Sequence, residues 1–440
     1  MLSQPFILEL PLELCEKLVL EHQLSRQDIR SLRLTCKVFA DLGGPALSFD
    51  RVVLSRLKED RDAFEEFVKK HGRYVREVIW QELDIETWGY FNNRLRSEMP
   101  PDQRELLEAA VRDVDLFWLP STCDSSIPIL PPRDLWVADW ITRGIRNLDT
   151  ITIQPMPASR KFCYRGHDIS PSEFTYEPTY GHARRPTYTS DSQVAFPLLQ
   201  QTRCKIRTLN VTTNMLRMDL WNVLGNFGLH DKEASRHLES ISICALEGFV
   251  HDFNKGGKFH RCLQGVDNLR KLKLCFPMDR SDHTRIDQPI IDVEAFVRQL
   301  FKNIKWPHLN SLHLVNAYDL FHNISKGKKR SVFSIVASQL RYLTMEDCRL
   351  RNWEISFARQ GWFPQLESIT IRSQGHPTAG EYRKKVVSEE RLLAFFRNEL
   401  EDLGLDLHHT APNEIITDTE APLCQFCSPF VPPPHRLIRW

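Results

Sequence analysis

The residues best spaced for chemistry are two cysteines near the end of the sequence. Cys424 and Cys427 are separated by two residues, which is the spacing of one half of a zinc site. Such a site needs about four Cys or His ligands, and His408, His409 or His435 could complete it. Because the sequence contains no second Cys-x-x-Cys pair, free thiols, a zinc site and a redox-active pair all stay open. Free thiols are the simplest of these, and we expect no metal and no cofactor.

No catalytic motif accompanies this pair. The sequence contains no GxSxG, HExxH, GxGxxG or P-loop pattern. The basic run at residues 326–330 could be a nuclear signal or a phosphate-binding patch, although a solvated loop is the simpler interpretation. We therefore expect no catalytic residue and no enzymatic activity in this chain.

The composition excludes several classes of protein. Among the 440 residues, 58 are basic and 57 are acidic, so the net charge of +1 is not that of a typical nucleic-acid-binding protein. No apolar run reaches the roughly 18 residues of a membrane span. The 11 cysteines are scattered through apolar patterns, which favours buried thiols in a reducing compartment. We expect a protein of the cytoplasm or nucleus that binds neither nucleic acid nor membrane.

One spacing of apolar residues recurs along the chain and predicts its main architecture. Each occurrence has apolar residues at its first, fourth and sixth positions, and the occurrences begin at Val75, Leu148, Ile206, Leu238, Leu269, Leu309, Leu340 and Leu366. The last two apolar side chains share one face of a strand, which a single repeat cannot bury but stacked neighbours can. With helical patterns at 215–227, 293–304 and 389–400 between strands, we expect an α/β solenoid with a parallel sheet.

The segment from residue 6 to residue 49 has a different period and predicts about three short helices. Leu10, Leu14 and Leu18 recur every four residues, and Pro11 suits the first turn of a helix. A second helix is predicted to begin at Ser25, and apolar residues continue at helical spacing as far as Phe39. The Gly-Gly-Pro sequence at 43–45 is expected to end the last of these helices.

This segment resembles an F-box, in particular that of F-box proteins from filamentous fungi. The resemblance lies in Leu-Pro-x-Glu-Leu at 10–14, Asp-Ile at 28–29 and Leu-Arg-Leu-x-Cys-Lys-x-Phe at 32–39. It implies a three-helix module that docks on the Skp-type adaptor of a cullin–RING (SCF) ubiquitin ligase. The positions that contact the adaptor in that family correspond to Leu10, Pro11, Leu14, Leu18, Leu32, Cys36 and Phe39.

The repeated strands are similar to the irregular leucine-rich repeats that often follow an F-box. We expect an F-box at 1–50, a leucine-rich-repeat-like domain at 51–410 with insertions near 81–145 and 155–197, and a Pro-rich tail at 411–440. The expected target-binding surface is formed by the residue between the two core-facing ones of each strand. These residues are Ile79, Thr152, Asn210, Ser242, Lys273, His313, Thr344 and Thr370.

The resemblance implies a non-catalytic substrate-recognition subunit that links an unidentified target protein to the Skp-type adaptor and the cullin scaffold. Three alternatives stay open: an adaptor-binding protein outside the ligase, a leucine-rich scaffold with capping helices, and an enzyme whose site lies in one of the insertions. A capping function would bury Leu10 and Pro11 completely, whereas a docking surface leaves them partly exposed.

Overall fold

The structure is a computed structural model in which two compact units, Met1–Thr208 and Leu209–Trp440, are distinguished. It describes residues 10–20, 24, 26–55, 58–82, 143–155, 162–164, 167–169, 205–213, 235–245, 263, 265–276, 306–317, 338–346, 348, 363–372, 384–397, 399–400 and 414–417. Several predicted features lie outside these ranges, namely Cys424, Cys427, the three histidines near them, the basic run at 326–330 and the helices at 215–227 and 293–304.

Three helices begin the described chain, as the apolar spacing predicted. Helix α1 spans Leu12–Leu20, α2 spans Arg26–Arg33 and α3 spans Lys37–Ser48. The carbonyl of Pro11 accepts the first hydrogen bonds of α1, so the proline stands just before the helix, where its missing N–H costs nothing. Both α1 and α2 pack on α3. Their shared core is formed by Cys15, Val19, Ile29, Phe39, Ala46 and Tyr74.

The prediction that residues 43–45 end a helix was wrong, because they lie inside α3. The chain instead breaks before α3, where Cys36 has an extended backbone with φ of −159° and ψ of 165°. Gly43 is buried against α2, and a Cβ atom there would lie 3.1 Å from Ile29 Cγ2 and 2.6 Å from Arg33 Cγ. A glycine at this position therefore permits the close approach of two helices.

The chain then forms thirteen strands within the described residues. They are β1 Arg51–Leu54, β2 Glu77–Glu82, β3 Thr150–Pro155, β4 Phe162–Tyr164, β5 His167–Ile169, β6 Thr208–Thr213, β7 Ser240–Ala245, β8 Lys271–Cys275, β9 Ser311–Val315, β10 Tyr342–Glu346, β11 Ser368–Arg372, β12 Lys384–Val387 and β13 Glu414–Thr417. Nine of them form one sheet in the order β1-β2-β3-β6-β7-β8-β9-β10-β11. The pairings from β1 to β3 and from β7 to β11 are parallel and in register.

All eight predicted strands are present in this sheet, and their apolar pairs are buried. On β9, for example, Leu312 and Leu314 are both fully buried, and they register with Leu272 and Leu274 of β8. Seven of the eight repeats also bury the apolar residue that precedes the strand, such as Leu309 before β9, whereas Ile206 before β6 is half-buried. The α/β class with a parallel sheet is therefore confirmed.

Two further helices pack beside strands. Helix α4 spans Lys58–His71 between β1 and β2 and buries Phe64 and Val68. Helix α5 spans Glu389–Phe396, within the predicted range 389–400, and the hydroxyl of Ser388 caps its first turn. The Glu389 carboxylate accepts the Ile369 backbone N–H at 3.1 Å, which fixes the start of α5 to β11.

Two short strand pairs lie outside the nine-stranded sheet. Strands β4 and β5 pair antiparallel within 155–197, a segment in which the sequence showed no periodicity. Strand β13 pairs in parallel with β12, although it lies inside the range predicted as a tail. Short strands of three or four residues leave too few alternations for a pattern to be recognised. None of the described helices is long and apolar enough to cross a membrane.

A double-mutant cycle tests the close contact between Gly72, Gly144 and α4. A Cβ atom on Gly144 would overlap Val68 Cγ1, whereas one on Gly72 would overlap the Gly144 carbonyl oxygen. We expect each Gly→Ala substitution to lower the free energy of unfolding by about 1–3 kcal/mol. In a Val68→Ala background the cost of Gly144→Ala should disappear, because the overlapping methyl is gone, while Gly72→Ala should stay costly. Urea unfolding measures all the variants, and equal rescue of both glycines would contradict this contact.

Candidate functional site

One candidate surface is a face of strands β7–β11 in the second unit whose central residues are polar. We call it the polar strand face. Its central row contains Ser242, Lys273, His313, Thr344 and Thr370, which are in register on neighbouring strands and are all half-buried. These are five of the eight residues predicted to form the target-binding surface. A sixth, Asn210 on β6, is half-buried as well.

The predicted row is less accessible on the first unit. Ile79 is buried, and Thr152 is 4% exposed and donates its hydroxyl to the Glu77 carboxylate at 2.6 Å. A buried hydroxyl whose proton is already donated cannot donate to a ligand, and burial keeps ligands from its oxygen. The described part of the predicted surface is therefore confined to β6 and the strands after it.

A charged cluster lies beside the central row, two positions further along the strands. The Glu346 carboxylate is 3.3 Å from Nε2 of His313 and 3.6 Å from the guanidinium of Arg372. The side chain of Glu346 is only 7% exposed and that of Arg372 is 14% exposed. A carboxylate buried this deeply is stable only beside positive charge or hydrogen-bond donors.

Sequence reasoning missed Glu346 and Arg372. Both follow a central-row residue by two positions, so the period of two could have placed them on the same face. The rest of this second row is apolar or sulfur-bearing, since Cys244, Cys275 and Val315 form a small buried cluster. In this second row the residues are apolar on β7–β9 and charged on β10–β11. This change along the row is the sequence signal that could have predicted the charged cluster.

Asn316 holds the end of β9 against its neighbours. Its φ of 55° lies in the left-handed region, which Asn tolerates better than most residues. Its side-chain amide donates to the Phe276 carbonyl at 3.0 Å, and its backbone N–H donates to the Glu346 carbonyl at 2.9 Å. The strand that carries His313 is thus tied at its end to the strands on both sides.

Charged residues also line the edge where these strands begin. Arg341 is 3.5 Å from the Glu367 carboxylate, and Arg270 is 4.0 Å from that of Glu239. The hydroxyl of Tyr342 donates to Glu367 at 2.7 Å, and this hydrogen bond raises the pKa of Tyr342. All these groups are well exposed, so their ion pairs contribute little stability.

A second candidate surface is apolar and lies on the N-terminal helices. We call it the helical face, and it comprises Pro11, Leu12, Leu14, Leu18, Leu34 and Val38. Leu34 is 89% exposed, Leu12 is 59% exposed and Leu14 is 46% exposed. Scattered apolar residues are normal on a surface, but six exposed ones between Pro11 and Val38, in and beside three short helices, are a concentration typical of a surface that binds a partner.

The seven predicted adaptor contacts fall into two groups. Pro11, Leu14 and Leu18 are exposed and belong to the helical face. Leu10, Leu32 and Cys36 are half-buried against the helical core, and Phe39 is a fully buried part of it. Leu12, Leu34 and Val38 were not among the predicted contacts. Since α1 buries Cys15 and Val19 and packs Leu20 against the core, its remaining leucines were the signal for exposed apolar surface.

An arginine contributes to the attachment of the helices to the strands. The guanidinium of Arg76, just before β2, donates to the carbonyl of Val19 at 2.7 Å and to that of Leu24 at 3.0 Å. It therefore satisfies a carbonyl in the last turn of α1, which has no partner within the helix, and a second carbonyl between α1 and α2. Burial lowers the pKa of Arg76, and the nearby Asp149 and Asp50 oppose that shift.

No protein-family model matches the chain, and no curated protein is significantly similar to it. Within the described ranges, no three His, Cys, Asp or Glu side chains are grouped to hold a metal ion. The functional interpretation therefore depends on the helical face and the polar strand face.

Replacing Arg76 tests whether it fastens the helices. Arg76→Met should lower the free energy of unfolding by about 2 kcal/mol, because helix carbonyls lose a charged donor. It should also speed amide hydrogen exchange in α1. Arg207→Met is the matched control, since Arg207 occupies the same position before β6 but is exposed. Similar effects of the two substitutions would contradict this function of Arg76.

Glu346→Gln tests the charged cluster. The substitution removes the buried charge that contacts both His313 and Arg372, so we expect the free energy of unfolding to fall by about 2 kcal/mol. Glu367→Gln is the control, because Glu367 is exposed and its pairs should be worth less than about 1 kcal/mol. Denaturant unfolding compares the two variants. Equal, small decreases in the free energy of unfolding would show that the cluster does not stabilise the fold.

Proposed function

We propose that this protein is a non-catalytic substrate-recognition subunit of an SCF-type ubiquitin ligase. In this proposal the three N-terminal helices are an F-box that docks on a Skp-type adaptor, and the parallel strands belong to an irregular leucine-rich-repeat domain that binds a target protein. The observation that carries the proposal is the helical face, an exposed apolar surface on a small helical module.

Burial of this face would supply the docking energy. A leucine side chain that passes from full exposure to burial contributes about 1.5–3 kcal/mol. The residues Leu12, Leu14 and Leu18 are each at least 40% exposed, so each has apolar surface left to bury. The F-box resemblance covers the same helices and supplies the expected partner, the Skp-type adaptor.

The attachment of the helices to the strands supports the second half of the proposal. Arg76 binds the end of α1, Arg73 lies 3.1 Å from the Glu16 carboxylate, and the ring of Phe49 stacks on His71 at 3.8 Å. A firm connection lets an adaptor hold a target near the ubiquitin-charged enzyme. Rate enhancement in such a complex comes from proximity, without a catalytic side chain in this chain.

The capping alternative is less well supported. A cap would bury its apolar residues against the domain that it covers, yet Pro11 is exposed and Leu10 is only half-buried. Leu34, in the turn between α2 and α3, is almost fully exposed. An adaptor-binding protein outside the ligase would have the same helical face. Recruitment of the cullin, included in the outcomes below, distinguishes that function from a ligase function.

The test is binding of the full-length protein to a purified Skp-type adaptor. The double variant Leu14→Gln, Leu18→Gln removes two exposed leucines while keeping good helix formers. Each loss should cost about 1 kcal/mol of binding, so the variant should bind about 30-fold more weakly. Tyr342→Gln is the control, because it removes an exposed aromatic side chain outside the helices. Isothermal titration calorimetry measures the affinities, and thermal unfolding checks that the variants are folded.

Lack of binding by the folded wild-type protein would overturn the proposal and favour capping helices. Equal binding by the leucine variant would show that the helical face is not the docking surface. A complex with the adaptor that fails to recruit the cullin would overturn the ligase function and favour an adaptor-binding protein outside the ligase.

A further inference from the structure

Two cysteines lie side by side near the ends of neighbouring strands in the second unit. Cys244 on β7 is in register with Cys275 on β8. Both side chains are thiols, they are 2% and 4% exposed, and they pack together with Val315 of β9. Side chains at registered positions of parallel strands leave the same face of the sheet, and the strands are about 4.8 Å apart. The sheet therefore brings these two thiols together on one face.

The spacing of the two strands suits a disulfide. The Cα atoms of disulfide-bonded cysteines are usually about 4.4–6.8 Å apart, a range that includes the strand spacing. Their Cβ atoms are usually about 3.5–4.5 Å apart, which is slightly closer than two neighbouring strands. Cys275 is the last residue of β8 and Cys244 is the next to last of β7, so only the strand ends have to approach. A bond formed there would be strained, and strained disulfides are the more easily reduced ones.

The other described cysteines are placed differently. Cys15 and Cys36 belong to the helical module, and Cys348 follows the end of β10. The Cys348 thiol donates to the backbone carbonyl of Glu346 at 3.2 Å. Among the residues that the structure describes, Cys244 and Cys275 are thus the cysteines that face each other across two strands.

We propose that Cys244 and Cys275 form a reversible disulfide when the protein meets a peroxide, and that this bond fastens β7 to β8. The scattered cysteines of the sequence favour a reducing compartment, where disulfides in proteins are usually transient and often sense redox conditions. A strained bond that cellular thiols can reduce again is suited to that environment. The bond would lie within the second unit, so it does not depend on the helical face.

The oxidation takes two steps. One thiolate attacks a peroxide oxygen and breaks the O–O bond, which gives a sulfenic acid and, with hydrogen peroxide, one molecule of water. The second thiol attacks the sulfenic sulfur, forms the S–S bond and releases a second molecule of water. Two thiols thus lose two electrons and two protons, and hydrogen peroxide accepts them. Glutathione reverses the oxidation by attacking one sulfur through a mixed disulfide.

The bond would change the stability of the two strands. A crosslink between residues 244 and 275 restricts the unfolded chain, so it favours the folded state. It also opposes separation of β7 from β8, which slows local opening of these strands. We therefore expect oxidation to raise the midpoint of urea unfolding and to slow amide hydrogen exchange in β7 and β8.

Peptide mapping of the full-length protein tests this proposal. The reduced protein is treated with hydrogen peroxide, its remaining thiols are alkylated, and it is digested with trypsin without reduction. Cleavage leaves Cys244 within residues 237–255 and Cys275 within residues 274–280, with one cysteine in each peptide. A crosslinked pair of these two peptides should appear in the mass spectrum, and treatment of the oxidised protein with glutathione should remove it.

Two variants test the effect of the bond on stability. Cys244→Ala removes one of the two thiols, and Cys348→Ala is the matched control because Cys348 is also only 4% exposed. Peroxide should raise the urea midpoint of the wild type and of the control, and it should not raise that of Cys244→Ala. The peptide mapping uses the wild type, so its result does not depend on the folding of either variant.

Several outcomes would overturn the inference. Absence of the crosslinked pair after peroxide treatment of the folded protein would show that the two thiols do not react together. A pair that forms only in urea would show that the native sheet does not bring them together. Sulfinic or sulfonic acid on both cysteines in place of the crosslink would show that each thiol is oxidised separately. A crosslink that glutathione cannot reduce would contradict a reversible bond.

Discussion

The sheet depends on the burial of two apolar side chains from every strand. Because these side chains lie on the same face and neighbouring strands are in register, each pair packs on the next, as Leu272 and Leu274 of β8 do on Leu312 and Leu314 of β9. A shift of one residue would move these leucines to the opposite face and bring the polar residues into the core. The in-register stack therefore also determines which residues form the polar strand face.

The same constraint explains how charge can be kept inside the structure. Glu346 is buried on the polar strand face, and the fixed register brings His313 and Arg372 to it from the strands on both sides. Hydrogen bonds from Asn316 hold the adjoining strand ends in place. The Glu346 carboxylate is therefore engaged within the sheet by its neighbours on β9 and β11.

The helical module is limited by the size of its core, since three short helices bury few apolar side chains. Its shared core is extended by Tyr74, which belongs to the chain beyond the helices, and Arg76 closes the end of α1. These contacts let the helices remain folded while Leu12, Leu14 and Leu18 stay exposed. The apolar residues left outside the core are the basis for proposing a protein partner.

The sequence determined the strands of the repeats, because apolar residues at the first, fourth and sixth positions of each repeat are buried together most simply by stacked strands. All eight predicted strands are present. It also determined the three helices and part of each candidate surface. Tertiary structure decided what local pattern could not express: Gly43 lies within a helix because α2 approaches closely, and Phe39 is buried by the neighbouring helices. Glu346 likewise depends on contacts between strands that are distant in sequence, and such contacts leave no local period.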